Sequence, residues 1–234
     1  MQYIRGMKKA DLIFICAVAA VFLPFVLSDT LYGLYKSFNA AHGMIVSFIK
    51  FAVLSTAGEM LGARISTGRY YYMGFGLVSK MIVWGILGMG INMAMIIFST
   101  GTPAFLEYMG LAGATEYLAG PMCWQKVLVA FCVSVAMNSI FAPVFMTLHK
   151  ICDIHIADYN GSALALVRPW KMGELMSRVN WKAQWGFVFK KTIPFFWFPA
   201  HTVTFLLPPS GRVLCAALLG VALGVLLAVA ARKK

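Results

Sequence analysis

The sequence predicts an all-α transmembrane bundle of about six spans, on three observations. Its 234 residues are 61% apolar with a mean hydropathy of +0.79, above the share of an ordinary soluble domain. Several apolar runs approach the roughly 20 residues that cross a bilayer. The cations behind the net charge of +12 gather between alternate runs, as in a chain whose loops face the cytoplasm in turn. In a soluble protein that charge would point to nucleic acid; here it serves orientation, and no nucleic-acid partner is expected.

The first span is read at 12–28, behind Arg5, Lys8 and Lys9. It resembles a signal peptide, but Leu27-Ser28-Asp29-Thr30 offers no small-residue cleavage site, so a retained span is expected. Asp29, Tyr32, Tyr35 and Lys36 mark a short amphipathic connection. The second span, 43–63, holds Lys50 and Glu59. Nine positions place them on opposite helix faces, roughly 13 Å apart along the axis, so they do not pair. Ser55, Gly58, Glu59, Gly62 and Ser66 form a narrow face of small residues with one carboxyl set in it. An ionisable group at that depth is expensive unless paired or wetted, which makes Glu59 the leading functional candidate and a buried ion pair its plainer alternative.

Arg64, Arg69 and Lys80 bracket the tyrosines Tyr70, Tyr71 and Tyr72, as a cytoplasmic loop with an interfacial belt would. The third span is 78–98, with Gly85, Gly88 and Asn92 along one side. The connection that follows is the least basic and is expected outside, with Ala104 to Leu118 as a short interfacial helix limited by Pro103 and Pro121. In the fourth span, 127–148, Asn138, Phe141, Ala142 and Phe145 share a face, and Pro143 frees the carbonyl of Ser139.

His149, Cys152 and Asp153 share a helical face and are weak candidates for a metal site; with no second ligand pair at a familiar spacing, no metal or other cofactor is expected. The five cysteines are odd in number and scattered, and imply no disulfide framework. Residues 168–184 interleave tryptophans with cations, which suits an interfacial segment on an anionic leaflet. The fifth span, 185–207, carries Trp197, His201, Thr204, Phe205 and Pro208 on one stripe. Pro199 there frees the carbonyl of Phe195, which neighbouring helices or the hydroxyls of Thr202 and Thr204 must satisfy. The last span, 213–231, repeats Ala216, Gly220, Gly224 and Ala228 every fourth residue, a ridge for close packing like that of Gly58 and Gly62.

With six spans, sixteen lysines and arginines fall inside, including Arg232, Lys233 and Lys234, and only Lys36, Lys126 and Arg212 outside. Both termini are therefore expected in the cytoplasm. A five-span alternative, with 185–207 interfacial or re-entrant, moves the C-terminal cations outside.

Two of these stretches carry a resemblance. Trp197, Pro199, His201, Thr204, Phe205 and Pro209, closed by Arg212, resemble the C-terminal signature of the Mpv and peroxisomal-membrane-protein family of small integral membrane proteins, with His201 at a Gln position and Thr204 at an Asn position. Phe141-Ala142-Pro143-Val144-Phe145 resembles the family's Phe-Ala-Pro-x-Phe element, with Asn138 at the place of its Gln. Gly58-Glu59 sits at its Gly-Asp, though Ala63 stands where a Gln is expected. The resemblance implies a channel or pore for small solutes, in mitochondrial inner or peroxisomal membranes elsewhere in the family. With Asp11 directly after the first cations, no acid-poor presequence is seen here, which favours a bacterial cytoplasmic membrane.

The expected function is therefore a channel-like protein, not an enzyme, with Glu59, Asn138, His201 and Thr204, and Lys50 beside them, lining or gating a polar path. His201 is a candidate proton sensor. Two rivals are a non-transporting assembly protein whose polar groups join helices, and a lipid-modifying enzyme using the His149 to Asp158 cluster. Membrane lipids and a small solute are the expected partners, and a second copy of the chain is an allowed one.

Overall fold

The computed structural model describes residues 9–231; Arg5, Lys8 and the three C-terminal cations lie outside the described residues. Every regular element among the described residues is helical, and none is a strand. It forms α1 (Lys9–Leu27), α2 (Asp29–Ala41), α3 (Gly43–Thr67), α4 (Leu77–Tyr108), α5 (Ala114–Ala119) and α6 (Trp124–Asp158). A 3-10 turn (Ala163–Val167), α7 (Met172–Ser177), α8 (Trp181–Ala183), a π-helix (Gln184–Trp197), α9 (Phe198–Leu206) and α10 (Pro209–Ala231) follow. Five of these, α1, α3, α4, α6 and α10, are long and apolar enough to cross a membrane, compatible with an integral membrane protein.

The described residues divide into two compact units, one up to Gly43 and one from Met44 onward. In the first, Ser28 caps α2 by accepting from the Leu31 amide at 3.3 Å, and Phe25 of α1 meets Tyr35 of α2 edge-on at 5.6 Å. The amphipathic connection is thus a helix in its own right.

The second unit holds the bundle. Its α4 and α6 outrun the expected spans, at 32 and 35 residues, or about 48 and 52 Å against a hydrocarbon core of ~30 Å. Pro103 lies inside α4 instead of limiting it, and the helix expected over Ala104 to Leu118 is split. The chain turns at Gly110 and Gly113, both at positive φ, and the short α5 then buries Ala114 and Leu118 in the main core. That core joins α3, α4, α5, α6, α9 and α10 through Phe51, Met95, Val133, Phe205 and Ala217 among others.

The expected fifth span is one helical stretch in two geometries. Its first 14 residues form the π-helix, wide-turned through i→i+5 hydrogen bonds and containing Pro194, and α9 completes it. Neither part alone is long and apolar enough to count among the five. The stretch packs antiparallel to α6: Ser134 bonds to Phe198, and Ala142 packs with Ile193 and Trp197. The hydroxyls expected at the Phe195 carbonyl go elsewhere, Thr202 donating to Phe198 O at 2.7 Å and Thr204 to Ala200 O at 3.0 Å. At the other proline the hydroxyl of Thr147 donates to Pro143 O at 2.7 Å, not to Ser139.

Residues 168–184 are broken into short helices pinned to the tip of α6. Leu175 and Val179 are buried against Ile151, and Trp170 stacks on His155 at 4.0 Å. Arg178 donates to both oxygens of Asp158 at 2.6 and 2.7 Å, which raises the guanidinium above its ordinary value. Trp181 and Trp185 remain exposed beside the lysines, as an interfacial segment requires.

Candidate functional site

The helix ends are held in register by contacts that leave no room for side chains. Gly76 and Gly161, both at positive φ, meet backbone to backbone, so a Cβ on Gly161 would lie 2.5 Å from Gly76 N. Ser79 adds a bond to Ser162 O at 3.0 Å. The start of α4 is thereby fixed beside the end of α6. Phe48 and Phe51 of α3 sit over Gly85 and Gly88 of α4, where any Cβ would collide with them.

This register gathers two i, i+4 pairs around one carboxylate. Lys80 and Trp84 reach it from α4 and His149 from α6, while Asp153, four residues beyond His149, meets Lys80. Glu59 Oε2 pairs with Lys80 Nζ, while Oε1 accepts from Trp84 Nε1 at 2.6 Å and meets His149 Nε2 at 3.3 Å. Lys80 Nζ also donates to Asp153 Oδ1 at 3.0 Å, and His149 lies under Trp84 at 4.3 Å. The plain alternative for Glu59, an ion pair, is therefore present, with an ammonium 21 positions away in sequence.

Glu59, His149 and Asp153 bring three ligand atoms within 4.8 Å of one another. They do not suit a metal as they stand, because the Lys80 ammonium is bonded to both carboxylates. The set expected from sequence is corrected in one member: Cys152 packs with Val83, Ile156 and Ala165 on another face of α6, and Glu59 takes its place.

From this charged mouth a cavity of about 520 Å³ runs into the bundle between α3, α4, α6, α10 and the π-helix–α9 stretch. Along α6 it extends from Asp153 to Met137, about 24 Å. Its walls are largely aromatic, with Trp84, Phe141, Phe145 and Trp197 among them. It ends on Phe51, Ile91, Met137 and Ala216, one side chain from each of four helices, all buried and all part of the main core. The cavity is thus open at the mouth and closed by an apolar floor.

Polar atoms meet near that floor. Asn138 is 1% exposed; its Nδ2 donates to Ser134 O at 2.8 Å and approaches Ser134 Oγ at 3.3 Å, and its Oδ1 faces His201 Nδ1 at 3.0 Å. The amide is oriented by Ser134 O, an acceptor, so Oδ1 must be the atom facing His201, and His201 Nδ1 must carry the hydrogen. Ser134 Oγ donates in turn to Phe198 O at 2.8 Å, where the π-helix gives way to α9. Three atoms of cavity-lining residues are buried without a hydrogen-bond partner among the described residues: His201 Nε2, Trp197 Nε1 and Ser55 Oγ.

Of the five path residues expected from sequence, Glu59, Asn138 and His201 line the cavity and two do not. Thr204 is fully buried in the core, bonded to Ala200 O and 3.3 Å from Cys215 Sγ, because three positions beyond His201 turn it toward α10. Lys50 is buried on the face of α3 opposite Glu59. His201 has an amide and no carboxylate as its bonded partner, whereas His149 has two acids nearby.

The motif residues divide between wall and frame. Trp197, Phe141, Ala142 and Phe145 line the cavity. Phe205 is core, Pro199 lies in the first turn of α9, Pro209 begins α10, and Arg212 donates to the carbonyls of Leu207 and Phe205 that end α9. Pro143 lies on the other face of α6, in a small apolar groove with Phe189. Three of the four packing glycines meet as expected, Gly58 against Val221 and Gly62 with Gly224 across α3 and α10. Gly220 has nothing within 4 Å of where its Cβ would be and faces the cavity instead.

No family model, curated protein or solved structure matches the chain. Trp84 and Ser134 belong to the site without having been singled out in sequence, while Lys80 read there only as a loop cation and Ser55 only as a member of a small-residue face. The only sequence signal for them is i, i+4 spacing: Lys80 with Trp84, Ser134 with Asn138, and Ser55 with Glu59.

Proposed function

We propose that the protein is a gated membrane pore for small solutes, with the cavity as its inner vestibule and the apolar floor as its gate. The observation that carries this reading is a cavity reaching from the basic face to the middle of the bundle and ending beside unpaired polar atoms. Each buried polar atom without a partner costs about 1–3 kcal/mol. Water or solute reaching His201 Nε2, Trp197 Nε1 and Ser55 Oγ would recover that energy. Trp197, Phe141 and Phe145, at positions that resemble motifs of the Mpv and peroxisomal-membrane-protein family, line the cavity, which supports a channel role.

The ends of α3, α6 and α10 and the start of α4 gather at the mouth, linked by Glu59, Lys80, Asp153 and the Gly62–Gly224 contact. Arg69, Lys150, Arg168, Lys171 and Lys182 are exposed on that side. By the positive-inside pattern the mouth opens to the cytoplasm. The π-helix–α9 stretch then makes the return crossing, giving α10 a cytoplasmic end.

The assembly-protein reading keeps one observation in its favour, since Asn138 to His201 and Thr204 to Cys215 are bonds between helices. Glycerol-driven swelling of proteoliposomes separates the two. Phe51→Ala and Met137→Ala thin the floor and should raise glycerol permeation at least tenfold over wild type. Permeation equal to protein-free liposomes in both variants overturns the pore.

A further inference from the structure

Two residues lining the deep end of the cavity, Trp197 and His201, each carry a buried polar atom with no partner among the described residues. Trp197 and His201 are 8% and 6% exposed, their rings lie 4.9 Å apart, and both line the cavity. The indole Nε1 can only donate. His201 Nε2 is an acceptor, because Asn138 Oδ1 fixes the ring hydrogen on Nδ1. Ser55 Oγ, also unpaired, can do either. Among the described residues no lysine, arginine, aspartate or glutamate lines this end; Glu59, Lys80, Asp153 and the ionisable His149 lie at the mouth, already paired with one another.

From this we infer that the cavity is a binding site for an uncharged molecule carrying a hydroxyl on an apolar body, the hydroxyl donating to His201 Nε2 and accepting from Trp197 Nε1. A carboxylate would set its lone pairs against that of Nε2 with no cation to offset them. An ammonium would leave the indole hydrogen unused and lose its hydration without a carboxylate in reach. A hydroxyl uses both atoms, while Phe51, Phe141 and Phe145 supply apolar contact, and about 520 Å³ is the size of a small-molecule site. This deepens the pore reading by naming its solute class, but the site can be tested without flux.

The hydroxyl can arrive on a small alcohol from water or on a monoacylglycerol from the bilayer. Protein in phosphatidylcholine nanodiscs is photolabelled with a diazirine-bearing octanol and the labelled residues are mapped by mass spectrometry. Label is expected on Met137, Trp197 or Phe51, competed by excess 1-octanol and not by octanoate, octylammonium or octane. Monooleoylglycerol competing as well as 1-octanol at equal bilayer content assigns the lipid source; competition by 1-octanol alone assigns the soluble one. Trp197→Phe and His201→Phe should each reduce this labelling at least fivefold, and His201→Gln, which keeps an acceptor, should retain most of it. Labelling confined to the outer faces of the helices, competition by octane, or no loss in either Phe variant overturns the site. Labelling without glycerol permeation in the floor variants would leave the site standing and remove the pore.

Discussion

Glu59 of α3 and Lys80 of α4 form an ion pair at the mouth of the cavity, and the same ammonium reaches Asp153 of α6. One lysine thereby holds three helices. Removing one member of a buried pair costs about 3–5 kcal/mol, and these side chains, 22% and 15% exposed, fall toward the lower end. Glu59→Gln and Lys80→Met should each lower the thermal unfolding midpoint in nanodiscs, and the double variant should lose clearly less than the two losses added. Simple additivity would mean that the pair contributes no coupling.

Lys80 also keeps cations out of the triad of Glu59, His149 and Asp153. Wild-type protein should show no saturable binding of cobalt(II) by titration calorimetry. In Lys80→Ala the three ligands are freed, and binding of one equivalent is expected. Saturable binding already in the wild type would show that the ammonium gives way.

Gly58 and Gly220 look alike in sequence but have opposite surroundings, Gly58 against Val221 and Gly220 against open cavity. Gly58→Leu should destabilise strongly by driving α10 from α3. Gly220→Leu should leave the unfolding midpoint within a degree or two while blocking alcohol labelling and suppressing permeation through the Phe51→Ala floor. A large loss of stability in Gly220→Leu would contradict the open face.

Asn138→Leu leaves His201 Nδ1 without its acceptor, and should cost about 1–3 kcal/mol. Thr204→Val removes only a back-bond to Ala200 and a contact to sulfur, and should cost under ~1 kcal/mol. Equal effects on the two unfolding midpoints would mean that the Asn138–His201 bond has no special weight.

Gly161→Ala places a methyl on Gly76 N at positive φ, and should impair folded yield severely. Gly173, with open space around it, is the control, and Gly173→Ala should fold normally.

Hydropathy and helical phase made much of this legible. The apolar runs gave the bundle, and of the residues read as facing a polar interior, Glu59, Asn138 and His201 lie among those lining the cavity. The same phase misplaced Thr204, because a stripe defines an arc and not the neighbour that meets it. Lys80 read as a loop cation, since its partners Glu59 and Asp153 lie 21 and 73 positions away and no local pattern encodes them. The π-helix was hidden for another reason. Pro194 marks an interruption within Gln184 to Trp197 but not its form, and the wide turn shows only in backbone geometry.

The floor of the cavity, one side chain each from α3, α4, α6 and α10, has a kinetic corollary. A single rotamer flip removes only one of the four side chains that make up this floor. In the proposed pore, passage would await their concerted displacement, which belongs to microseconds or longer and not to nanoseconds. Single-molecule recordings should accordingly show brief, discrete bursts separated by silence, with no continuous leak between them.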